Sequence, residues 1–138
     1  MFRLSSKADY GLIFLSNLVP RDARDKPKSD SNRPVSVSSI AKKYKIPSKF
    51  LSRIATDLKK AGIISAKEGV SGGYRLIKKP AQIKLTDVLK VLDGDLVVGR
   101  CMEDDHECVC GAGDMFKDMK ESMEKVIGKK TVADLVWS

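Results

Sequence analysis

A mostly α-helical fold carrying one small β-hairpin is predicted by three observations. Between residues 36 and 77, apolar side chains recur at helical spacing in two successive runs, then switch to alternation around a glycine-rich turn. One further helical stripe precedes this stretch and two follow it. Proline or glycine punctuates these runs at Pro20, Pro47, Gly62, Gly94 and Gly128. Two short helices followed by a glycine-tipped hairpin make a winged helix-turn-helix, a shape suited to gripping duplex DNA.

The first helix is expected over residues 6–18, capped by Ser5 or Ser6, with Ala8, Leu12, Leu15 and Val19 along one stripe and Pro20 closing it. Residues 20–34 hold three prolines, many charges and, besides proline, only Ala23 as a nonpolar side chain. This composition predicts an exposed, mobile linker, favoured over a DNA-contacting arm. In the helix-turn-helix, Ser38 is a candidate N-cap, with Ile40, Ala41 and Tyr44 facing inward. Pro47 disfavours helix at Ile46, and Ser48 can cap the next helix. There Leu51, Ile54, Leu58 and Ala61 form the inner stripe with Phe50 beside them, and Gly62 supplies a left-handed stop. The outer face keeps Lys49, Ser52, Arg53, Thr56 and Asp57, a short, polar, mostly cationic row such as a major groove requires. Strands are expected at 63–66 and 74–77, with Gly69, Ser71, Gly72 and Gly73 allowing positive φ and close approach to a phosphate backbone. The same periodicities would also serve a small α+β domain that binds no nucleic acid.

Charge favours the nucleic-acid reading. Residues 1–80 carry 18 Lys+Arg against 6 Asp+Glu, residues 81–138 carry 8 against 12, and the whole chain is +8. The positive charge is therefore concentrated in the helix-turn-helix half, where meeting phosphate releases condensed counterions. No basic amphipathic helix with an aromatic side suggests a membrane surface, and no aromatic platform suggests RNA. The longest apolar run, residues 12–15, is far too short for a span, and the N-terminal region lacks a signal-peptide pattern. A cytoplasmic protein is expected. Its 138 residues suit one compact domain with an appended element: 1–80 as the DNA-binding part, 81–138 as a sensor loop and dimerisation region.

In the second part, residues 84–93 read as an amphipathic helix with Thr86 as a possible cap, Val88, Leu89, Val91 and Leu92 apolar, and Gly94 at its end. Met115, Phe116, Met119, Met123, Val126 and Ile127 then mark a helix of about four turns, ended by Gly128. That stripe has little left in so small a chain to pack against. A second copy would cover it, giving a two-fold dimer matched to a palindromic operator; folding back onto the winged domain is the alternative.

Between these helices, Cys101, His106, Cys108 and Cys110 lie within ten residues, among the acidic Glu103, Asp104, Asp105 and Glu107. Acidic neighbours disfavour bare thiolates, and a bound cation reverses that penalty. The Cys-x-Cys step is shorter than a usual zinc knuckle and a second knuckle is missing, so an iron–sulfur cluster fits at least as well as zinc. A Cys108–Cys110 disulfide would close a very tight ring. Unliganded surface thiols with a solvated histidine are the plain alternative.

Several segments resemble the Rrf-two family of bacterial winged-helix regulators, which includes the IscR- and NsrR-type iron–sulfur sensors. The residues at 3–12 (RLSSKADYGL) look like the family's opening helix. Ser39-Ile40-Ala41, Phe50-Leu51-Ser52-Arg53-Ile54 and Leu58-Lys59-Lys60-Ala61-Gly62 look like its helix-turn-helix, Gly69-Val70-Ser71-Gly72-Gly73-Tyr74 like its wing, and Thr131-Val132-Ala133-Asp134-Leu135 like its closing segment. The resemblance implies a homodimer crossed by the C-terminal helix, with a cluster near the dimer interface. Cys101, Cys108 and Cys110 lie where cluster-binding members keep three cysteines, and Asp9 where some members supply a carboxylate ligand. A carboxylate holds iron less firmly than a thiolate, so it would yield to an incoming ligand such as nitric oxide. Two departures stand out: the cysteines are unevenly spaced, with gaps of six and one, and Glu68 stands where members commonly place an arginine before the wing's first glycine, leaving Lys67 as the nearby cation.

The expected function is a dimeric DNA-binding transcriptional regulator of repressor type, whose operator affinity depends on an iron–sulfur cluster (2Fe-2S or 4Fe-4S) held by the 101–110 loop. Candidate DNA contacts are Ser48, Lys49, Ser52 and Arg53 in the groove and Lys67, Gly72, Gly73 and Tyr74 on the wing. Candidate ligands are Cys101, Cys108 and Cys110, with Asp9 or His106 as the fourth. Coupling would run from the loop through the dimer helix to the spacing of two recognition helices. The rivals are a cluster-free thiol redox sensor of the same fold and a small iron–sulfur electron-transfer or assembly protein. No nucleophile–base pair, phosphate loop or carboxylate pair suggests an enzyme.

Overall fold

The computed structural model describes residues 3–20, 34–99 and 111–135. The expectations for the 20–34 linker and the cysteine loop fall almost wholly outside them. Helix α1 spans Ser6–Leu18, and the Ser5 hydroxyl oxygen caps it by accepting the Ala8 N–H at 3.1 Å. Its buried face is Ala8, Gly11, Phe14, Leu15 and Leu18, with Val19 just beyond, while Leu12 stays half-buried at the edge. A stripe drawn from apolar side chains alone overlooks Gly11. That glycine is required by contact, since a Cβ there would stand 2.4 Å from Leu92 Cδ1.

Helix α2 spans Val37–Tyr44 and α3 spans Ser48–Lys60. The cap of α2 is Ser36, not Ser38: its oxygen accepts the Ser39 N–H at 3.2 Å, from extended backbone that pairing of the preceding residue helps to fix. Ser48 is likewise the first helical residue rather than the cap. Pro47 holds the cap position, and its carbonyl accepts the Phe50 and Leu51 N–H groups, both at 3.1 Å. In α3, Leu51, Ile54, Ala55 and Leu58 are buried, whereas Ala61 is exposed beyond the last turn. Gly62, at φ 76°, ends the helix as expected. Its N–H reaches the Lys59 carbonyl and that of Ile63 the Leu58 carbonyl, the paired bonds of a Schellman stop.

Strands β1 (Ile64–Lys67) and β2 (Gly73–Leu76) pair antiparallel, with Ile64 opposite Leu76 and Lys67 opposite Gly73. Val35 extends the hairpin by exchanging two backbone hydrogen bonds with Tyr74, at 2.9 and 2.8 Å. The glycines of the wing serve close approaches within the chain itself. A Cβ on Gly72 would lie 2.2 Å from the Lys67 carbonyl oxygen, and one on Gly73 would lie 2.5 Å from the Val35 carbonyl. Gly73→Ala is therefore expected to break the Val35 bridge and cost about 1–3 kcal/mol, as overpacking against unyielding backbone does. Chemical unfolding would check this, with solvent-exposed Ala66→Gly as a control that leaves the bridge intact.

Helix α4 spans Leu85–Asp93. Its start is set at Lys84, without a side-chain cap, because Lys84 pairs with Thr131 as an isolated bridge; Thr86 lies inside the helix. Val88 and Leu92 enter the same core as α1 and α3, joined by Ile83 and by Val132 from a closing 3₁₀ turn, Val132–Leu135. Helix α5 spans Gly113–Ile127 and buries no residue. Met115, Met119 and Val126 are exposed, while Phe116, Met123 and Ile127 are half-buried.

Candidate nucleic-acid interface and sensor stem

The recognition surface follows from the phase of α3. With Leu51, Ile54, Ala55 and Leu58 turned into the core, the helix must present Lys49, Ser52, Arg53 and Thr56 to solvent, and all four are exposed. The Thr56 hydroxyl donates to the Ser52 carbonyl at 2.9 Å, a local bond that leaves the row short and flat. Phe50 packs edge-on against Tyr10 of α1, ring centres 5.5 Å apart, and so fastens α1 alongside the outer face. The result is an open groove of about 770 Å³, lined by Ser48, Lys49, Ser52, Arg53 and Thr56 from α3 and by Lys7 from α1.

Among the described residues, one carboxylate lines this groove. Asp57 Oδ2 lies 2.7 Å from Lys7 Nζ, with the two side chains 38% and 36% exposed. The hydrogen bond from Lys7 holds the Asp57 carboxyl below its ordinary range; slight burial opposes this, and the charges of Lys7, Lys60 and Arg53 reinforce it. The position of Asp57 was legible in the sequence, but its partner was not, because the two residues are fifty apart.

Lys67 is exposed at the end of β1 and Val70 wholly exposed at the wing tip. Arg75, exposed on β2, is a further wing cation that spacing gave no reason to single out. Tyr74 points inward, its ring edge-on to Phe14 at 5.9 Å. It and Gly73 thus hold the wing against the domain.

The cysteines Cys101, Cys108 and Cys110 lie outside the described residues, as does His106. Among the described residues no group of three metal-ligating side chains comes together. Both ends of the cysteine loop are placed, however. The Phe116 ring of α5 rests on Gly99, where a Cβ would come within 2.9 Å, so the chain returns to the point it left. The end of α4 is also tied to the start of α1: the Ser5 hydroxyl donates to one Asp93 oxygen, and the Ser5 N–H reaches the other at 3.4 Å. Asp9, exposed one turn into α1, is on the helix end joined to this stem.

A helix-turn-helix with a paired wing, an exposed cationic recognition face and an appended helix define a winged-helix regulator. The chain belongs to the Rrf2 family, described as iron-dependent transcriptional regulators, whose profile matches residues 4–138. It is 25% identical to CymR of Bacillus subtilis over 96% of this chain and 88% of that one. The solved structure of that CymR, titled the global cysteine regulator, superposes with a TM-score of 0.76 over 98% and 96% of the two chains at 25% identity. NsrR of Shouchella clausii is 28% identical over 97% of this chain and 88% of its own. The T. potens IscR structure superposes with a TM-score of 0.69 at 26% identity, over 97% and 85%. Among the described residues no helix is long and apolar enough to cross a membrane.

Proposed function

We propose that this protein is a cytoplasmic, homodimeric repressor that binds a palindromic operator in duplex DNA, with an affinity set by an iron–sulfur cluster on the 101–110 loop. The observation that carries the DNA reading is the cationic row Lys49, Ser52, Arg53 standing on a fully buried inner stripe, with Lys67 on the wing beside it. Ser48 and the N-terminal turn of α3 enter the major groove, while Lys67 and the Gly72 turn lie along the backbone. Residues 1–80 act as reader and 81–138 as sensor and dimerisation region. The exposed Met115, Met119 and Val126 of α5 supply the face for a second copy.

The donor set suits an iron–sulfur cluster: three thiolates from Cys101, Cys108 and Cys110, with the Asp9 carboxylate completing the ligands. The Phe116–Gly99 contact supports this, because a loop that returns to its own stem can gather its thiols around one centre. When bound, the cluster supplies a redox- and ligand-sensitive centre. The protein's part is transmission: α4 shares its core with α1 and α3, so cluster binding to the segment that follows α4 would bias the placement of the recognition helix through packed side chains.

Anaerobic purification with iron supplied, visible spectroscopy and iron and sulfide analysis test the reading, together with binding to the protein's own promoter fragment. Cys108→Ser is expected to abolish the visible absorbance and to remove the difference in DNA affinity between loaded and stripped protein. One second reading uses the same three thiols, a regulator acting through thiol chemistry without metal. A colourless protein whose DNA binding is nonetheless peroxide-sensitive would establish it.

A further inference from the structure

Lys7 and Asp57 form an ion pair on the edge of the recognition face, and the pair contributes little to holding the fold together. Both side chains are more than one-third exposed, and solvent screening leaves pairs of that kind adding little to stability. Its location is more informative. Asp57 sits nine residues beyond Ser48, in the second half of α3. Recognition helices read base edges with their N-terminal residues, so the far half lies along the groove wall, where phosphates stand. Among the described residues, Asp57 is the one carboxylate lining a groove otherwise rimmed by Lys7, Lys49 and Arg53.

We propose that Lys7 is a DNA-backbone contact held in reserve by Asp57, whose carboxylate occupies the place a phosphate takes in the complex. This rests on the DNA-binding reading above and adds a residue from outside the helix-turn-helix to it. The exchange is electrostatically direct. A phosphate approaching the groove competes with Asp57 for the Lys7 ammonium, and the freed carboxylate recruits a cation from solution. Lys7 then neutralises a phosphate, yet the net release of ions is smaller than for an unpaired lysine. Asp57 thereby weakens backbone binding without touching a base, which limits attachment to unrelated DNA.

The test uses full-length protein and a labelled duplex of random sequence, titrated by fluorescence anisotropy between 50 and 200 mM KCl, the range over which backbone contacts are most salt-sensitive. Asp57→Asn is expected to tighten binding about two- to five-fold at the lower salt, and to steepen the log–log salt slope by up to about 0.9. The comparison that decides is the same change in a Lys7→Met background, which keeps the aliphatic stem. If Lys7 moves to phosphate, the gain from Asp57→Asn is larger with Lys7 present than without it. If the pair stays intact on DNA, the two gains are equal, because Asp57→Asn then changes the charge facing the duplex by one unit whether it frees Lys7 or removes a bare carboxylate, and a gain no larger with Lys7 present overturns the proposal. Weaker binding of Asp57→Asn to the promoter fragment, with random duplex unaffected, would make Asp57 a base reader and overturn it as well. A wild-type protein that ignores both duplexes at low salt would remove the DNA-binding reading itself, an outcome distinct from either. Circular dichroism confirms that the variants fold.

Discussion

Leu51→Ala is expected to lower the stability of the protein by about 2–5 kcal/mol, the largest effect of any single change considered. Leu51 is fully buried in the first turn of α3, beneath Lys49, Ser52 and Arg53. Removing its isobutyl group loses transfer energy and leaves a cavity that the core it shares with Phe14, Ile54 and Leu58, themselves fully buried, cannot easily collapse to fill. For a chain of this length, a thermal midpoint lower by roughly 10 °C should follow. Leu51→Met conserves volume and should cost less than about 1.5 kcal/mol, so the two variants separate cavity from chemistry. DNA binding at low temperature should weaken only by the fraction unfolded. A midpoint shift no larger for alanine than for methionine would contradict the packing described.

Arg53→Ala is expected to have the opposite profile: little change in stability and a large loss of operator affinity. The guanidinium is exposed and makes no ion pair among the described contacts, so truncation should alter folding by about 0.5 kcal/mol or less. In the proposed complex an arginine in the middle of this face would make bidentate contact with guanine. Losing that contact costs about 1–3 kcal/mol, a five- to 150-fold drop in affinity for the promoter fragment, with much less change on random duplex. Lys49→Ala, at the start of the helix, should instead weaken both duplexes by similar factors if its role is phosphate neutralisation. Equal losses on both duplexes for Arg53→Ala would assign it to the backbone too.

Much of this architecture was readable in the chain. The inner stripe of α3 and the Gly62 stop follow from local rules, since a 3.6-residue period and a left-handed glycine act within one or two turns. The outward row Lys49, Ser52, Arg53 is then forced by the same phase. The caps show where such rules end. Ser38, Ser48 and Thr86 each have the right chemistry for a cap, but Ser36, Pro47 and Lys84 hold the positions, two of them at or beside bridges to remote residues. Strand limits shift by one residue for a related reason: the register is fixed by cross-strand pairs such as Ala66 with Tyr74.

The sequence alone determined which faces of the helices are apolar, where glycine stops them, and that positive charge gathers in the first eighty residues, because each of these is carried by neighbours along the chain. Tertiary structure alone decided that Gly11 admits Leu92, that Val35 completes the wing, that Phe116 closes the stem of the cysteine loop, and that Lys7 meets Asp57. These contacts join residues from 17 to 81 positions apart in sequence. Nothing in local periodicity encodes them; they exist only once a common core has brought the helices to van der Waals distance.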